Sequence, residues 1–196
     1  MNFDRFIPPE MVKTDDYIVR SYLPGDGERL AEALNASYEH LAPWMPWAKP
    51  HTPVRDAERT ARFFRARYLT NQEFVLAIVD SDRSRCLGGS GFHLREGPLD
   101  NRAAEIGMWI HASYAGQGLG TRVLRTILDW GFSAWPWERL SWRCSARNQA
   151  SRRTAEKAGM ILEGTLRAQR RLDDGSREDT LVFSALRDTW VDPLAS

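Results

Sequence analysis

The chain has 196 residues, 42% of them hydrophobic and 27% charged, which suits one globular domain with a real core and excludes both a disordered chain and two ordinary domains. A formal net charge of +1 supplies no whole-molecule field for nucleic acid or an acidic membrane, and no apolar run approaches the roughly 18 residues of a membrane span. Two cysteines, Cys86 and Cys144, make neither a CxxC pair nor a disulfide framework, as in a reducing compartment.

The opening "MNFDRFIPPEMVK" is broken by prolines where a signal peptide turns apolar, so a cytoplasmic protein is expected. "YIVRSY" (17–22) reads as a strand, and Pro24–Gly27 as a turn into a helix over about Glu28–Tyr38. Ala57, Ala61, Phe64 and Tyr68 recur at helical spacing and predict a second helix over Val54–Leu69. "EFVLAIVD" (73–80) is a continuous apolar run, as expected of a strand covered on both faces. "RCLGGSGFHLR" (85–95) and "AAEIGMWIH" (103–111) read as two further strands with a turn at Gly97–Asn101. Val123, Leu124, Ile127, Leu128, Gly131 and Phe132 mark one face of a helix over Thr121–Phe132. "RLSWRCS" (139–145) alternates like a strand, with Leu140, Trp142 and Cys144 on one side. Asn148 then caps a short helix that stops at Gly159. Strands over about Ile161–Arg171 and Arg177–Leu186, joined by "DDGS", complete a mixed α/β fold in one domain, residues 1–196.

Gly116, Gly118 and Gly120 lead straight into the helix at Thr121, and three readings of them compete. They could merely permit positive φ in a tight connection, although each costs backbone entropy. A dinucleotide-binding G-x-G-x-x-G fails because Thr121 stands at the third glycine site, and the strand after the helix ends in Ser145, Ala146, Arg147 with no acidic residue for a ribose. A P-loop would need Lys after its last glycine. The third reading is an anion held by backbone N–H groups at the positive end of the helix, with Arg122 and Arg125 adding charge nearby.

The segments "AEIGMWIHASYAGQGLGTRVLRTILDWGF" and "RLSWRCSARNQASRRTAEKAGMILEGTLR" resemble the GNAT acyltransferase superfamily, and within it the RimJ/RimL-type branch, over about Ala104–Leu186. "AGQGLG" (115–120) matches the family's Q/R-x-x-G-x-G/A loop except at its first position, where Ala115 removes a side-chain contact and spares the backbone cradle. Asn148-Gln149-Ala150-Ser151 matches its N-x-x-S signature, and "EKAGMILEGTLR" (156–167) the passage that follows. More loosely, "LAPWMPW" (41–47) resembles the branch's tryptophan-bearing segment.

The resemblance implies a GNAT fold and an N-acetyltransferase that uses acetyl-CoA, without a covalent enzyme intermediate. Its pyrophosphate would lie on Gln117, Gly118, Leu119, Gly120 and Thr121, with Asn148 as a further contact. Its pantetheine would run beside the strand at Trp109, Ile110 and His111. Ser151 is the candidate proton donor to the departing thiolate; the alternative is a hydroxyl satisfying a backbone group near the helix start. Glu105 is the candidate base, set against a glutamate paired with an arginine such as Arg102 or Arg143. Trp44 and Trp47 are expected to line the acceptor site, the alternative being that they plug the open end of the sheet. Cys144 reads as a buried strand residue, and His40, His51, His93 and His111 have no metal-ligand spacing, so no metal is expected.

A protein or peptide N-terminal α-amine, as in ribosomal-protein N-acetylation, is the expected acceptor. The alternatives are a small-molecule amine (polyamine, amino acid or aminoglycoside) and a non-catalytic acyl-CoA-binding sensor. No nucleic acid or membrane partner is expected, and a homodimer is suggested by family likeness.

Overall fold

Backbone pairing begins earlier than the sequence pattern suggests, at a three-residue edge strand, β1 (Met11–Lys13), whose exposed residues carry no periodic signal. A computed structural model describes residues 6–191; the first five residues of the opening segment read above lie outside them. Hydrogen bonding orders eight strands β1-β2-β3-β4-β5-β6-β8-β7 in an open mixed sheet. The chain forms two units, one of residues up to Leu94 with Gly107–Gln117, the other of Arg95–Ile106 with Gly118 onward, so β5 (Ala103–Ile110) contributes to both.

In the first unit β1, β2 (Tyr17–Ser21), β3 (Phe74–Asp80) and β4 (Cys86–His93) form an antiparallel meander. All five residues of β2 and six of the seven in β3 are buried, as the unbroken apolar run of β3 predicts. Helix α1 (Gly27–Ala36) and helix α3 (Val54–Leu69) bring Leu30, Ala31, Ala33, Ala57 and Ala61 into a cluster with Ile18, Tyr22, Ala77 and Val79. The small residues permit close approach: a Cβ on Gly27 would stand 2.5 Å from the Glu58 Cβ of α3. The stretch expected to continue α1 to Tyr38 instead breaks at Ser37 and restarts as one turn, α2 (Tyr38–Leu41). Ser37 Oγ accepts the Ala112 N–H at 2.9 Å, a tertiary contact that the local pattern could not announce.

Arg20 and Asp26 anchor the turn between β2 and α1. Two parallel hydrogen bonds of 2.7 Å join the guanidinium to the carboxylate, and Asp26 also accepts the Leu23 N–H at 2.8 Å. Both side chains are buried. Burial pushes the Asp26 carboxyl up, but the Arg20 and Leu23 hydrogen bonds outweigh it and hold the group below its ordinary value.

In the second unit β5 runs parallel to β6 (Arg139–Ser145), with Ala103–Glu105 opposite Arg139–Ser141. β8 (Arg177–Leu186) pairs antiparallel with both β6 and β7 (Ile161–Arg171), so the hairpin's second strand is the inner one. The "DDGS" turn closes as expected, with Gly175 at φ 84°. Helix α4 (Leu119–Ser133) buries Leu119, Val123, Leu124, Ile127 and Leu128, each contributing about 1.5–3 kcal/mol of hydrophobic burial. Helix α5 (Gln149–Lys157) is capped by Asn148, whose Oδ1 accepts the Ser151 N–H at 3.0 Å, and it ends before Gly159 at φ 89°.

Candidate acetyl-CoA and acceptor site

The glycines act through backbone conformation. Gly118 is the N-cap of α4 at φ 79° and Gly116 lies at φ 74°, a region that L side chains rarely adopt. Packing does not require either: a Cβ at Gly116 would meet nothing within 4 Å, and one at Gly118 only Arg122 Nη1, at 3.5 Å. The helix therefore begins two residues before the predicted Thr121, because Gly118 turns the chain early. No side chain caps this end, so the first-turn N–H groups, those of Leu119, Gly120 and Thr121 among them, face outward at the positive end of a fifteen-residue helix. This cradle fits a pyrophosphate. Gln117 Nε2 donates to the Ser113 carbonyl at 2.8 Å, which braces the turn. Arg125, expected to lend charge to the anion, instead donates to the Lys157 carbonyl and ties α4 to the end of α5.

Of the three residues offered for pantetheine, His111 lies just past β5 and spends its backbone inside the protein. Its N–H goes to the Leu87 carbonyl at 2.9 Å, and its carbonyl accepts from Tyr114 N–H at 2.9 Å. The buried His111 imidazole accepts the Ser113 N–H at Nδ1, and its Nε2 lies 3.6 Å from Glu32.

Ser151 stands on the first turn of α5. Its Oγ accepts the Trp142 indole N–H at 3.1 Å, and its hydroxyl also hydrogen-bonds the Cys144 thiol. Burial pushes the neighbouring Cys144 thiol above its ordinary value, and the Cys86 thiol is pushed up to about 12 for the same reason. Both cysteines are free and buried, as expected of inert strand residues.

Glu105 is buried and paired on both sides, with Arg95 and with Arg143 Nε at 3.5 Å. The arginines continue into a chain of charges: Arg143 reaches Glu96 at 3.8 Å, and Arg139 reaches Glu96 at 3.2 Å and Glu163 at 2.6 Å. Arg102, the other expected partner, pairs with Glu138 instead. These contacts match the ion-paired alternative for Glu105.

Trp47 stands at 66° to the Trp109 ring with centroids 6.3 Å apart, and it borders a small pocket lined also by Leu34, Leu41 and Thr52. Trp47 is 49% exposed. Trp44 is half-buried, its N–H donating to the Leu41 carbonyl at 2.9 Å. Among the described residues no cluster of three or more His, Cys, Asp or Glu could hold a metal ion, and no helix is long and apolar enough to cross a membrane.

Comparison with known proteins places this geometry. Residues 17–161 match the family model for the acetyltransferase (GNAT) domain. The uncharacterized N-acetyltransferase YoaA of Bacillus subtilis (strain 168) is 31% identical over 178 residues, 90% of this chain and 97% of YoaA. The ribosomal-protein-serine acetyltransferase of Escherichia coli (strain K12) is 29% identical over 89 residues, 45% of this chain and 49% of that protein. Among solved structures, RimL, the ribosomal L7/L12 alpha-N-protein acetyltransferase in complex with coenzyme A, superposes with a TM-score of 0.79 at 19% identity, covering 91% of this chain and 99% of RimL. The chain belongs to the acetyltransferase (GNAT) domain family and is an acetyl-CoA-dependent N-acetyltransferase.

Proposed function

We propose that this enzyme acetylates a protein or peptide N-terminal α-amine, working as one domain over residues 1–196. The observation that carries the reading is the exposed Trp47 set edge to face against Trp109, which offers a peptide end an aromatic corner on the first unit. Relatives named for ribosomal-protein acetylation support the same acceptor class.

In this reading the N–H groups at the Gly118 helix mouth hold the pyrophosphate of acetyl-CoA, and Asn148 adds a contact from the cap of α5. Bound acetyl-CoA supplies an activated acetyl group. Positioning provides much of the acceleration, because a thioester already reacts with a neutral amine. Ser151, its lone pair engaged by the Trp142 indole, delivers a proton to the departing sulfur. The ion pairs to Arg95 and Arg143 give Glu105 a structural and electrostatic part in preference to that of base.

The test is acetyl-CoA-dependent thiol release with short peptides of varied N-terminal residue, run beside polyamines, amino acids and aminoglycosides. Release with a subset of peptides is the expected result. Release only with small amines moves the acceptor to that class, and acetyl-CoA binding without release overturns the catalytic reading in favour of a sensor.

A further inference from the structure

β4 ends on His93, whose Nδ1 lies 3.0 Å from Glu73 Oε1 at the entry to β3. The other carboxylate oxygen, Oε2, accepts from Arg67 Nε at 3.0 Å, in the last turn of α3. The His93 hydrogen bond, against the opposing pull of burial, holds the Glu73 carboxyl below its ordinary value. An ionised Glu73 accepts only, so neutral His93 carries its hydrogen on Nδ1 and presents a bare lone pair at Nε2.

The position of that nitrogen depends on glycine. A Cβ on Gly107 would stand 2.7 Å from His93 Nε2 and 3.0 Å from Cδ2, so the ring lies directly on the β5 backbone where a side chain would be. Trp109, two residues along the same strand, shares that face. Its indole covers Gly89 in turn, where a Cβ would come 2.4 Å from Nε1, and Trp47 stands against it. Two glycine-dependent placements thus set an imidazole on the same strand face as the tryptophan pair assigned above to the acceptor. The His93 side chain is 16% exposed, so its environment is neither closed core nor open surface.

We propose that His93, oriented by Glu73, is the general base that accepts the proton of the acceptor ammonium at Nε2. The proposal rests on the acetyl-transfer reading. An amine arrives as R–NH3+; one N–H bond breaks, its proton passes to Nε2 and onward to solvent, and the freed lone pair forms the C–N bond to the thioester carbon. The C–S bond breaks with its electron pair on sulfur. The second proton shed by nitrogen balances the one that sulfur gains through Ser151. Among the described residues, His93 meets Glu73, just before β3, and through it Arg67 of α3; β5 presents Gly107, whose carbonyl accepts from Ser90 Oγ at 2.8 Å, with the charged Glu105 two residues before it on the same face.

The test is the pH dependence of kcat/KM for the full chain with an accepted amine, together with acetyl-CoA affinity by calorimetry. His93→Gln is expected to lower kcat/KM near neutral pH by about a hundredfold, within the usual span of general-base effects. It should remove the acid limb of the profile, recover rate at alkaline pH where the amine deprotonates unaided, and leave acetyl-CoA affinity within about twofold, well below one tenfold step. Glu73→Gln can accept from Nδ1 or donate to it, so it no longer fixes the tautomer, and kcat/KM should fall about tenfold with acetyl-CoA affinity unchanged; it serves as the second variant if His93→Gln does not fold. An unchanged limb in folded His93→Gln, an unchanged rate in folded Glu73→Gln, or a rate loss matched by an equal loss of acetyl-CoA affinity overturns the base assignment. Wild-type enzyme silent on every amine overturns the acetyl-transfer reading itself, a result distinct from an active wild type with an unmoved limb.

Discussion

Gly116 and Gly118 offer a matched pair of perturbations. Both hold positive φ, 74° and 79°, and neither has a neighbour that an added methyl would strike, Arg122 Nη1 at 3.5 Å being an ordinary contact. Alanine at either position should therefore cost the same backbone strain, roughly 1–2 kcal/mol. For a chain of this length that lowers Tm by about 2–8 °C. Only Gly118, however, caps α4, so only there does the new methyl stand at the mouth where an anion would approach the first-turn N–H groups. Losing one charge-assisted hydrogen bond there costs about 1.5–3 kcal/mol. Acetyl-CoA should bind Gly118→Ala roughly 10–150-fold more weakly, while Gly116→Ala stays within about threefold. Thermal denaturation without ligand reads the strain, and calorimetric titration with acetyl-CoA reads the affinity. Equal affinity losses for the two variants, or none at Gly118, would refute the cradle.

Ser151→Ala should lower kcat at least about tenfold with little change in the KM for acetyl-CoA, since proton donation affects the chemical step; an unchanged kcat at saturating substrates removes Ser151 from the mechanism. Glu105→Gln should leave the acid limb of the pH–rate profile in place and lower Tm, because it strips one charge from the Arg95 and Arg143 pairs. Trp47→Ala should change the ranking of accepted peptides without loss of stability, read by thiol release and thermal melting, because the ring is half open to solvent; destabilisation with unaltered preference would favour the plug. Asp26→Ala should destabilise by roughly 3–5 kcal/mol, because the buried Arg20 loses its charge partner. Asp26 titrates below its unfolded value, so its contribution is present above about pH 3.9 and is lost as pH falls through the lower folded value. Urea denaturation of the wild type below that pH should show the loss, and Asp26→Ala should lack that part of the acid dependence.

Much of the fold was legible because its signals are local. The apolar run of β3, the four-residue spacing in α3, the Asn148 cap and the Gly159 stop depend on atoms within a few residues, and each stands where the pattern puts it. The positive-φ turn at the mouth of α4 was legible for the same reason, since glycines in succession before a helical face encode a backbone conformation directly. The neighbours of each side chain were not. Which arginines hold Glu105, what engages the His111 N–H, and that Trp47 meets Trp109 all depend on register and on strands folded back across the chain. His93 illustrates the division best. Twenty residues separate it from Glu73, no spacing rule connects them, and the glycine that makes room for its ring lies on another strand. Sequence periodicity determined which segments would become strands and helices, because hydrogen bonding and burial repeat along the chain. Tertiary packing alone decided which polar groups meet, because a hydrogen bond or an imidazole over bare backbone requires a placement within a few tenths of an ångström that only the assembled sheet supplies.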